Sequence, residues 1–342
     1  MKEKFYLGTY TKRESKGVYS VILNKETEQL ENLTLEAALE NPTYLYYSKE
    51  NHLLFAVGKE HKDAGVTANL TLTSPVKRLS SFYDQQAVPC YIRYNERSHD
   101  LLTANYHGGF VELYHYDNKN HSISFVDKKV HSGSSIHENQ TAPHVHYTDL
   151  TPDHYLVTCD LGTDQVITYD LDPEGKLSKL YTYHSQPGAG SRHIIFHNHY
   201  KIAYLICELN STIEVLIYDG VGEFERMQVI STLPDGYQGF NGTAAIRLSK
   251  DGKYLYASNR GHDSIAVYTI LADGSLELLE IVPTHGQTPR DFDLTPDQEF
   301  VIAVHQDSDN ATVFKRNLET GRLAELSNDF HVPEAVCISF AP

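Results

Sequence analysis

The sequence of 342 residues contains no tryptophan, only two methionines and only four cysteines. The cysteines are far apart and form no Cys-x-x-Cys pair, so we expect reduced core thiols rather than a disulfide framework; they are Cys90, Cys159, Cys207 and Cys337. The absence of tryptophan, and with it of any Trp-Asp dipeptide, argues against a WD40 repeat protein.

Long apolar runs and an excess of positive charge are also missing. No stretch is long or apolar enough to span a bilayer, and Met1–Phe5 contains no apolar signal core, so we expect a soluble, cytoplasmic protein. The 29 basic and 45 acidic residues give a formal net charge of −16, which argues against nucleic acid or an anionic membrane as a partner. Any anionic ligand must therefore be bound by a local cluster of positive groups.

What the sequence does contain is a repeated order of extended run, tight turn, extended run, loop and extended run. This order is clearest in Pro143–Asp170, and it returns in Ile246–Tyr268 and again after Pro289. The turn after the first run of each unit recurs at intervals of 47, 56, 46, 52, 46 and 46 residues, at Ser48, Asn95, Thr151, His197, Ser249, Thr295 and Ala341. A period near 46 with about four short strands per unit is typical of a β-propeller.

The seventh unit is divided between the two ends of the chain. Glu334–Phe340 supplies its first strand, and the N-terminal region supplies the other three, as Phe5–Tyr10, Gly17–Leu23 and Gln29–Ala37. We therefore predict an all-β fold, a seven-bladed β-propeller forming one domain over residues 1–342, with its ring closed by a C-terminal strand that joins the N-terminal blade.

The interval of 56 residues marks an insertion around Asn118–Gln140. This segment is polar and rich in His and Ser, and we predict that it forms a solvated surface loop.

The period also places particular side chains at one mouth of the central channel. The start of the first strand and the end of the second lie on the same face of the disc, because the two strands are antiparallel. Five residues before each turn position stand Thr43, Cys90, His146, Arg192, Ala244, Arg290 and Val336. Eleven residues after it stand Lys59, Tyr106, Gly162, Glu208, Arg260 and Gln306.

Three of the eleven arginines, Arg192, Arg260 and Arg290, thus converge in an acidic protein. This predicts an anion site, because guanidinium groups bind carboxylate and phosphate in bidentate fashion. His146 and Glu208 add two groups that can move protons near neutral pH if their surroundings tune them.

Motifs distributed along the whole chain carry a family resemblance. They are Gly8-Thr9-Tyr10-Thr11, Asn41-Pro42, Ala104–Gly109, Pro143-His144-Val145-His146, Asp160-Leu161-Gly162, Ser191-Arg192-His193, Cys207-Glu208-Leu209, Ser258–Ile265 and Pro289–Phe292. With them, the sequence resembles the seven-bladed propeller lactonases, a family that contains bacterial 6-phosphogluconolactonases of the propeller type and fungal 3-carboxy-cis,cis-muconate lactonising enzymes. The chain departs from the family pattern at Tyr91, where many members have His, and at His305, where many have Asn.

The resemblance implies an active site whose catalytic residues are His146, Arg192, Glu208 and Arg260. We expect further substrate contacts from Arg290, His144, His193, Gln306, Tyr106 and Lys59. No cofactor is expected, and no metal either, because the His-x-His pair lacks enough further ligands.

Three functions remain open. The first is a 6-phosphogluconolactonase, which hydrolyses 6-phospho-D-glucono-1,5-lactone in the pentose phosphate pathway. The second is a lactonase or cycloisomerase acting on another sugar lactone or a muconate-type lactone. The third is a propeller that binds an anionic metabolite or a protein without chemistry, because this fold hosts many functions. The expected partner is a small anionic sugar lactone; the sequence leaves open the oligomeric state and whether His146 or Glu208 is the general base.

Overall fold

The computed structural model describes residues 2–172 and 175–341. Within these ranges every regular element is a β-strand, and the strands form seven four-stranded antiparallel sheets. The predicted all-β, seven-bladed propeller is confirmed. None of the described residues belongs to a helix that could cross a membrane.

The strands follow one another blade by blade. The chain begins with β1 (Lys2–Thr9), β2 (Gly17–Asn24) and β3 (Gln29–Ala38). Blade 1 contains β4 (Leu45–Ser48), β5 (Leu53–Glu60), β6 (Asp63–Leu70) and β7 (Lys77–Gln85). Blade 2 contains β8 (Tyr91–Tyr94), β9 (Asp100–Asn105), β10 (Phe110–Asp117) and β11 (Ser122–Val130). Blade 3 contains β12 (Val145–Leu150), β13 (Leu156–Asp160), β14 (Gln165–Leu171) and β15 (Leu177–His184).

The second half repeats the same order. Blade 4 contains β16 (Ser191–Phe196), β17 (Ile202–Cys207), β18 (Thr212–Tyr218) and β19 (Phe224–Ser231). Blade 5 contains β20 (Gly242–Leu248), β21 (Tyr254–Arg260), β22 (Ser264–Ile270) and β23 (Leu276–Pro283). Blade 6 contains β24 (Pro289–Leu294), β25 (Phe300–His305), β26 (Asn310–Arg316) and β27 (Leu323–His331). The closing blade joins β28 (Ala335–Ala341) to β1, β2 and β3.

The first strand of each blade lines the central channel, and these strands contact one another in sequence around the ring. The last of them, β28, contacts both β24 and β4, so the ring is closed. The closure is made by antiparallel pairing of β28 with β1, from Lys4 opposite Ala341 to Gly8 opposite Cys337. The predicted joining of the two chain ends is therefore confirmed, and it leaves no unpaired edge at the seam.

The hydrophobic core lies between neighbouring blades. Strands β17 and β25 are buried along their whole length, which explains why the second strands read as nearly continuous apolar runs. At the seam, the Phe5 and Phe340 rings lie 5.3 Å apart between centroids and pack in one cluster with Phe300 of blade 6. Each blade thus covers the faces of its neighbours, as expected for a repeat architecture.

Innermost strands carry β-bulges at the height of the predicted site. The register shifts at His146 in β12, at Arg192 in β16 and at Arg290 in β24. A bulge adds one residue to its strand and re-aims side chains. As a result, consecutive residues such as Arg192 and His193 both line the channel.

The prediction of a solvated loop over Asn118–Gln140 is wrong for much of the segment. Ser122–Val130 is β11, the outermost strand of blade 2, and it reads as polar because only Ile123 among its side chains is fully buried. The side chain of Gln140 is buried and donates from Nε2 to Leu161 O and to Asp164 Oδ1, at 2.7 Å each.

Candidate active site

A cavity of about 230 Å³ lies at one mouth of the central channel. The cavity is lined by residues at the starts of innermost strands and by residues at or just after the ends of second strands. They are Tyr10, Tyr106, His107, His146, Glu208, Arg260 and Arg290. Five of the predicted site residues are therefore brought together here by the propeller geometry.

Glu208 lies at the centre of this arrangement. Its Oε2 accepts a hydrogen bond from Arg192 Nε at 2.8 Å and lies 2.8 Å from Arg260 Nη2. Burial by itself would raise the pKa of Glu208, but the positive charges of Arg260, Arg192 and Arg290 outweigh it and lower the pKa below its ordinary value. Glu208 is consequently a carboxylate at neutral pH.

Arg192 lies one layer below the cavity, where it is only 2% exposed. Besides Glu208, it holds the carbonyl oxygen of Ala244, to which Nη1 donates at 2.6 Å. Burial lowers the pKa of Arg192 to about 10, with Glu208 opposing the shift and Arg260 adding to it. The guanidinium stays charged at neutral pH. It lines a small pocket that shares His146 and Arg290 with the main cavity, and its predicted catalytic role stays a prediction.

Arg290 differs from the other two arginines because no carboxylate of the described residues forms an ion pair with it, although the charge of Glu208 acts on it from a greater distance. Its guanidinium carbon lies 5.9 Å from the centre of the Tyr10 ring. Within residues 2–172 and 175–341 its side chain has neither an ion pair nor a hydrogen bond. A half-buried guanidinium that borders a cavity and has no anionic partner is available to an anionic ligand.

The imidazole of His146 is buried at the floor of the cavity. Its Nδ1 lies 3.2 Å from Nε2 of His193, and Arg192 Nη1 lies 3.3 Å from that same His193 nitrogen. Burial, followed by the charge of Arg192, lowers the pKa of both histidines well below the ordinary value. Both rings are therefore neutral at neutral pH.

Tyr106 forms one wall of the cavity, and His144 supports it from behind. The two rings stack with centroids 4.2 Å apart, and His144 Nδ1 donates to the carbonyl oxygen of Tyr106 at 2.9 Å. Tyr106 also meets His146 edge to face, with centroids 6.0 Å apart. His144, predicted as a substrate contact, does not line the cavity.

Two predicted substrate contacts lie elsewhere. Lys59 sits within β5, which extends to Glu60, and its Nζ lies 3.9 Å from Glu40 Oε1 in a separate groove. The amide of Gln306 donates to Asp307 Oδ1 at 3.1 Å, and this residue is not part of the cavity lining. At Lys59 the even spacing fails because β5 continues to Glu60, whereas Gln306 directly follows β25, as Glu208 follows β17, and its side chain contacts Asp307 instead of the cavity.

Sequence reasoning missed Tyr10 and His107 as lining residues. Tyr10 directly follows β1, as Tyr106 follows β9 and Glu208 follows β17. The eleven-residue spacing, carried across the seam from Ala341 to the N-terminus, would have pointed to it. His107 follows Tyr106 in an exposed turn and has no comparable signal.

The two departures from the family pattern lie outside the cavity lining. Tyr91 is buried, and its ring meets that of His193 edge to face, with centroids 5.4 Å apart. The Nδ1 of His305 donates to the carbonyl oxygen of Asn310 at 3.0 Å. Among residues 2–172 and 175–341, no group of three or more His, Cys, Asp or Glu side chains is arranged to hold a metal ion.

The family to which the chain belongs is clear from comparison with known proteins. The family model described as a lactonase with a seven-bladed β-propeller matches residues 4–340. The chain therefore belongs to the seven-bladed β-propeller lactonase family.

Individual relatives are similar over nearly the full length. The 6-phosphogluconolactonase of Bacillus subtilis is 38% identical, with 98% of this chain and 97% of that protein covered. A Lactobacillus plantarum protein of known crystal structure is 39% identical, with 99% of both chains covered and a TM-score of 0.96. The periplasmic gluconolactonase of Pseudomonas aeruginosa is 27% identical, with 99% of both chains covered and a TM-score of 0.92. Because that relative is periplasmic by name, the cytoplasmic location expected for this chain stays a prediction.

The ion pairs of Glu208 predict a pH-dependent contribution to stability. A carboxyl group whose pKa is lowered in the folded state stabilises the fold fully above its unfolded pKa, and this contribution is lost as the pH falls through the folded value. Glu208→Gln should therefore lower the free energy of unfolding at pH 7. The deficit relative to the parent should shrink as the pH falls below the ordinary glutamate value of 4.5.

Urea unfolding at a series of pH values measures this difference. Glu50→Gln is the matched control, because Glu50 is exposed in the turn between β4 and β5 and should show little deficit at any pH. A Glu208→Gln deficit that stays constant down to pH 3.5 would show that the charge of Glu208 does not stabilise the fold.

Proposed function

We propose that the protein is a 6-phosphogluconolactonase that opens 6-phospho-D-glucono-1,5-lactone. The observation that carries this proposal is the unpartnered guanidinium of Arg290 at the cavity. Three guanidinium groups and one carboxylate leave a surplus of two positive charges here, in a chain whose net charge is −16. A phosphorylated sugar lactone supplies a dianion that fits this surplus. The name of the Bacillus subtilis relative supports the same substrate.

Arginine pairing elsewhere in the channel shows why Arg290 is distinctive. Arg247, lower in the channel, has Asp291 at 2.7 Å and Asp293 at 3.3 Å. Arg93 has Asp149 at 3.0 Å. Those charges are matched within the protein, so the unmatched charge at Arg290 favours a ligand at this mouth.

His146 suits the role of general base better than Glu208 does. Two guanidinium groups form ion pairs with the carboxylate of Glu208, and both would lose their anionic partner if Glu208 accepted a proton. His146 is neutral and has one ring nitrogen that is not engaged by His193. Negative charge that develops on the substrate also favours protonation of His146, so the ring becomes more basic as the reaction proceeds.

In the proposed reaction, His146 removes a proton from a water molecule whose oxygen attacks the lactone carbonyl carbon. The new carbon–oxygen bond produces a tetrahedral oxyanion, which Arg260 stabilises because its guanidinium borders the cavity. The ring carbon–oxygen bond then breaks, and protonated His146 returns the proton to the departing alkoxide. The open-chain carboxylic acid that results ionises to the carboxylate and releases its proton to solvent, and Arg290 holds the phosphate throughout.

Replacement of His146 tests the assignment of the base. His146→Gln should lower kcat for 6-phosphogluconolactone by roughly 10²–10⁴-fold, the range for general acid–base catalysis, with a smaller change in KM. The assay couples product formation to 6-phosphogluconate dehydrogenase and subtracts spontaneous ring opening. His184→Gln is the control, since His184 is exposed at the end of β15. Folded parent protein with no rate above background would contradict the proposed substrate.

Replacement of Arg290 tests phosphate recognition separately. A hydrogen bond to a charged group contributes about 1.5–3 kcal/mol, so Arg290→Gln should raise KM for the phosphorylated lactone roughly 10- to 150-fold. The unphosphorylated gluconolactone, which has no group for Arg290, should change far less. Steady-state kinetics of both lactones, with Arg97→Gln on the exposed surface as the control, measure the two effects. Equal losses for both lactones would place the phosphate away from Arg290.

A further inference from the structure

We propose that His193 is a positioning residue that fixes the tautomer of His146. In this arrangement Nδ1 of His146 carries the proton, and Nε2 keeps the lone pair needed by a general base. The tautomer assignment is independent of the reaction, whereas its catalytic consequence rests on the proposed lactonase function.

Arg192 can only donate hydrogen bonds to its neighbours. A guanidinium has five N–H donors and no acceptor. Because Arg192 Nη1 lies 3.3 Å from His193 Nε2 in hydrogen-bonding geometry, that nitrogen must accept. Neutral His193 therefore carries its proton on Nδ1.

The unprotonated Nε2 of His193 also determines which nitrogen of His146 carries the proton. Its Nδ1 lies 3.2 Å from the same Nε2 of His193, which has no proton to give. Two unprotonated nitrogens facing each other at this distance would repel, so Nδ1 of His146 must carry a proton and donate it. Arg192 Nη1 at 3.3 Å and His146 Nδ1 at 3.2 Å thus both donate to the single lone pair of His193 Nε2.

The surroundings remove the alternative in which His193 is doubly protonated. Its ring is 4% exposed and lies among the rings of Tyr44, Tyr91 and Tyr147. Burial, with the nearby charges of Arg192 and Arg247, disfavours a second proton and lowers the pKa of His193. His193 is thus a fixed neutral acceptor.

The bulge in β16 makes this arrangement possible. Side chains alternate between faces of a regular strand, so Arg192 and His193 would point in opposite directions. The register shift at Arg192 turns both toward the channel, where one holds Glu208 and the other holds His146. A chain of contacts therefore runs from the central carboxylate to the proposed base.

Nuclear magnetic resonance measures the tautomer directly. In protein labelled with [¹⁵N]histidine, two-bond proton–nitrogen correlations distinguish the two neutral tautomers at pH 7 without substrate. The signals that disappear in His146→Gln identify His146. The expected result is the Nδ1–H tautomer for His146, and the Nε2–H tautomer in the folded parent would overturn the proposal.

A pair of His193 variants tests the effect on catalysis. His193→Gln places an oxygen acceptor at a reach similar to that of Nε2, whereas His193→Met keeps the length and removes the acceptor. The Gln variant should retain the Nδ1–H tautomer and most of kcat. The Met variant should lose this tautomer preference, and its kcat should fall roughly 10- to 100-fold with little change in KM. A loss of this size is typical when a partner that orients a functional histidine is removed.

Circular dichroism and thermal unfolding establish that both variants are folded. Equal kcat values for the two variants, or a parent-like kcat for His193→Met, would overturn the positioning role. If the parent shows the Nδ1–H tautomer but no lactonase activity, the proposed substrate fails and the tautomer assignment is supported. If the parent is active with the Nε2–H tautomer, the tautomer assignment alone fails.

Discussion

The carboxylate of Glu208 lies between guanidinium groups of two neighbouring blades, with Arg192 and Arg260 each 2.8 Å from Oε2. Without it, two positive charges would face each other in a poorly hydrated region, where like charges repel strongly. Arg192 in turn donates to His193, and His193 contacts His146. In the proposed arrangement, Glu208 influences the position and protonation of His146, the proposed base, through Arg192 and His193.

The channel has one region in which charged side chains are paired within the protein and another in which positive charge is in excess and suited to ligand binding. Lower in the channel, Arg247 is shared by Asp291 and Asp293, and burial, reinforced by Asp291, raises the pKa of Asp293 to about 6. This matched cluster joins the neighbouring innermost strands β20 and β24. At the mouth that holds the cavity, positive charges exceed negative ones, and within residues 2–172 and 175–341 Arg290 forms no ion pair. An acidic protein can bind an anion here because the surplus is local.

Much of the fold follows from the sequence because each blade repeats the same alternation of turns and apolar runs. The split seventh blade was predictable for the same reason, since Glu334–Phe340 had no partner other than the N-terminal strands. The prediction of a loop at the outermost strand β11 was wrong, because a strand with a single fully buried side chain reads as polar. Pattern alone identifies buried strands better than exposed ones.

The site was predictable in part. A fixed spacing brought His146, Glu208, Arg260 and Arg290 to one mouth because the blades are nearly equal in length. It failed at Lys59, since β5 continues through that residue to Glu60. The bulges were not predictable, because an added residue in a strand changes no local composition. The bulges determine the depth in the channel at which each of these side chains lies.

The central claim is that the arginine cluster binds the phosphorylated sugar at this cavity, and a crystal structure with the product 6-phosphogluconate tests it most directly. We expect the phosphate within hydrogen-bonding distance of Arg290 and the new carboxylate beside Arg260 and Nε2 of His146. Product bound instead in the separate groove lined by Lys59 and Arg78, with the cavity between Glu208 and Arg290 unoccupied, would contradict it.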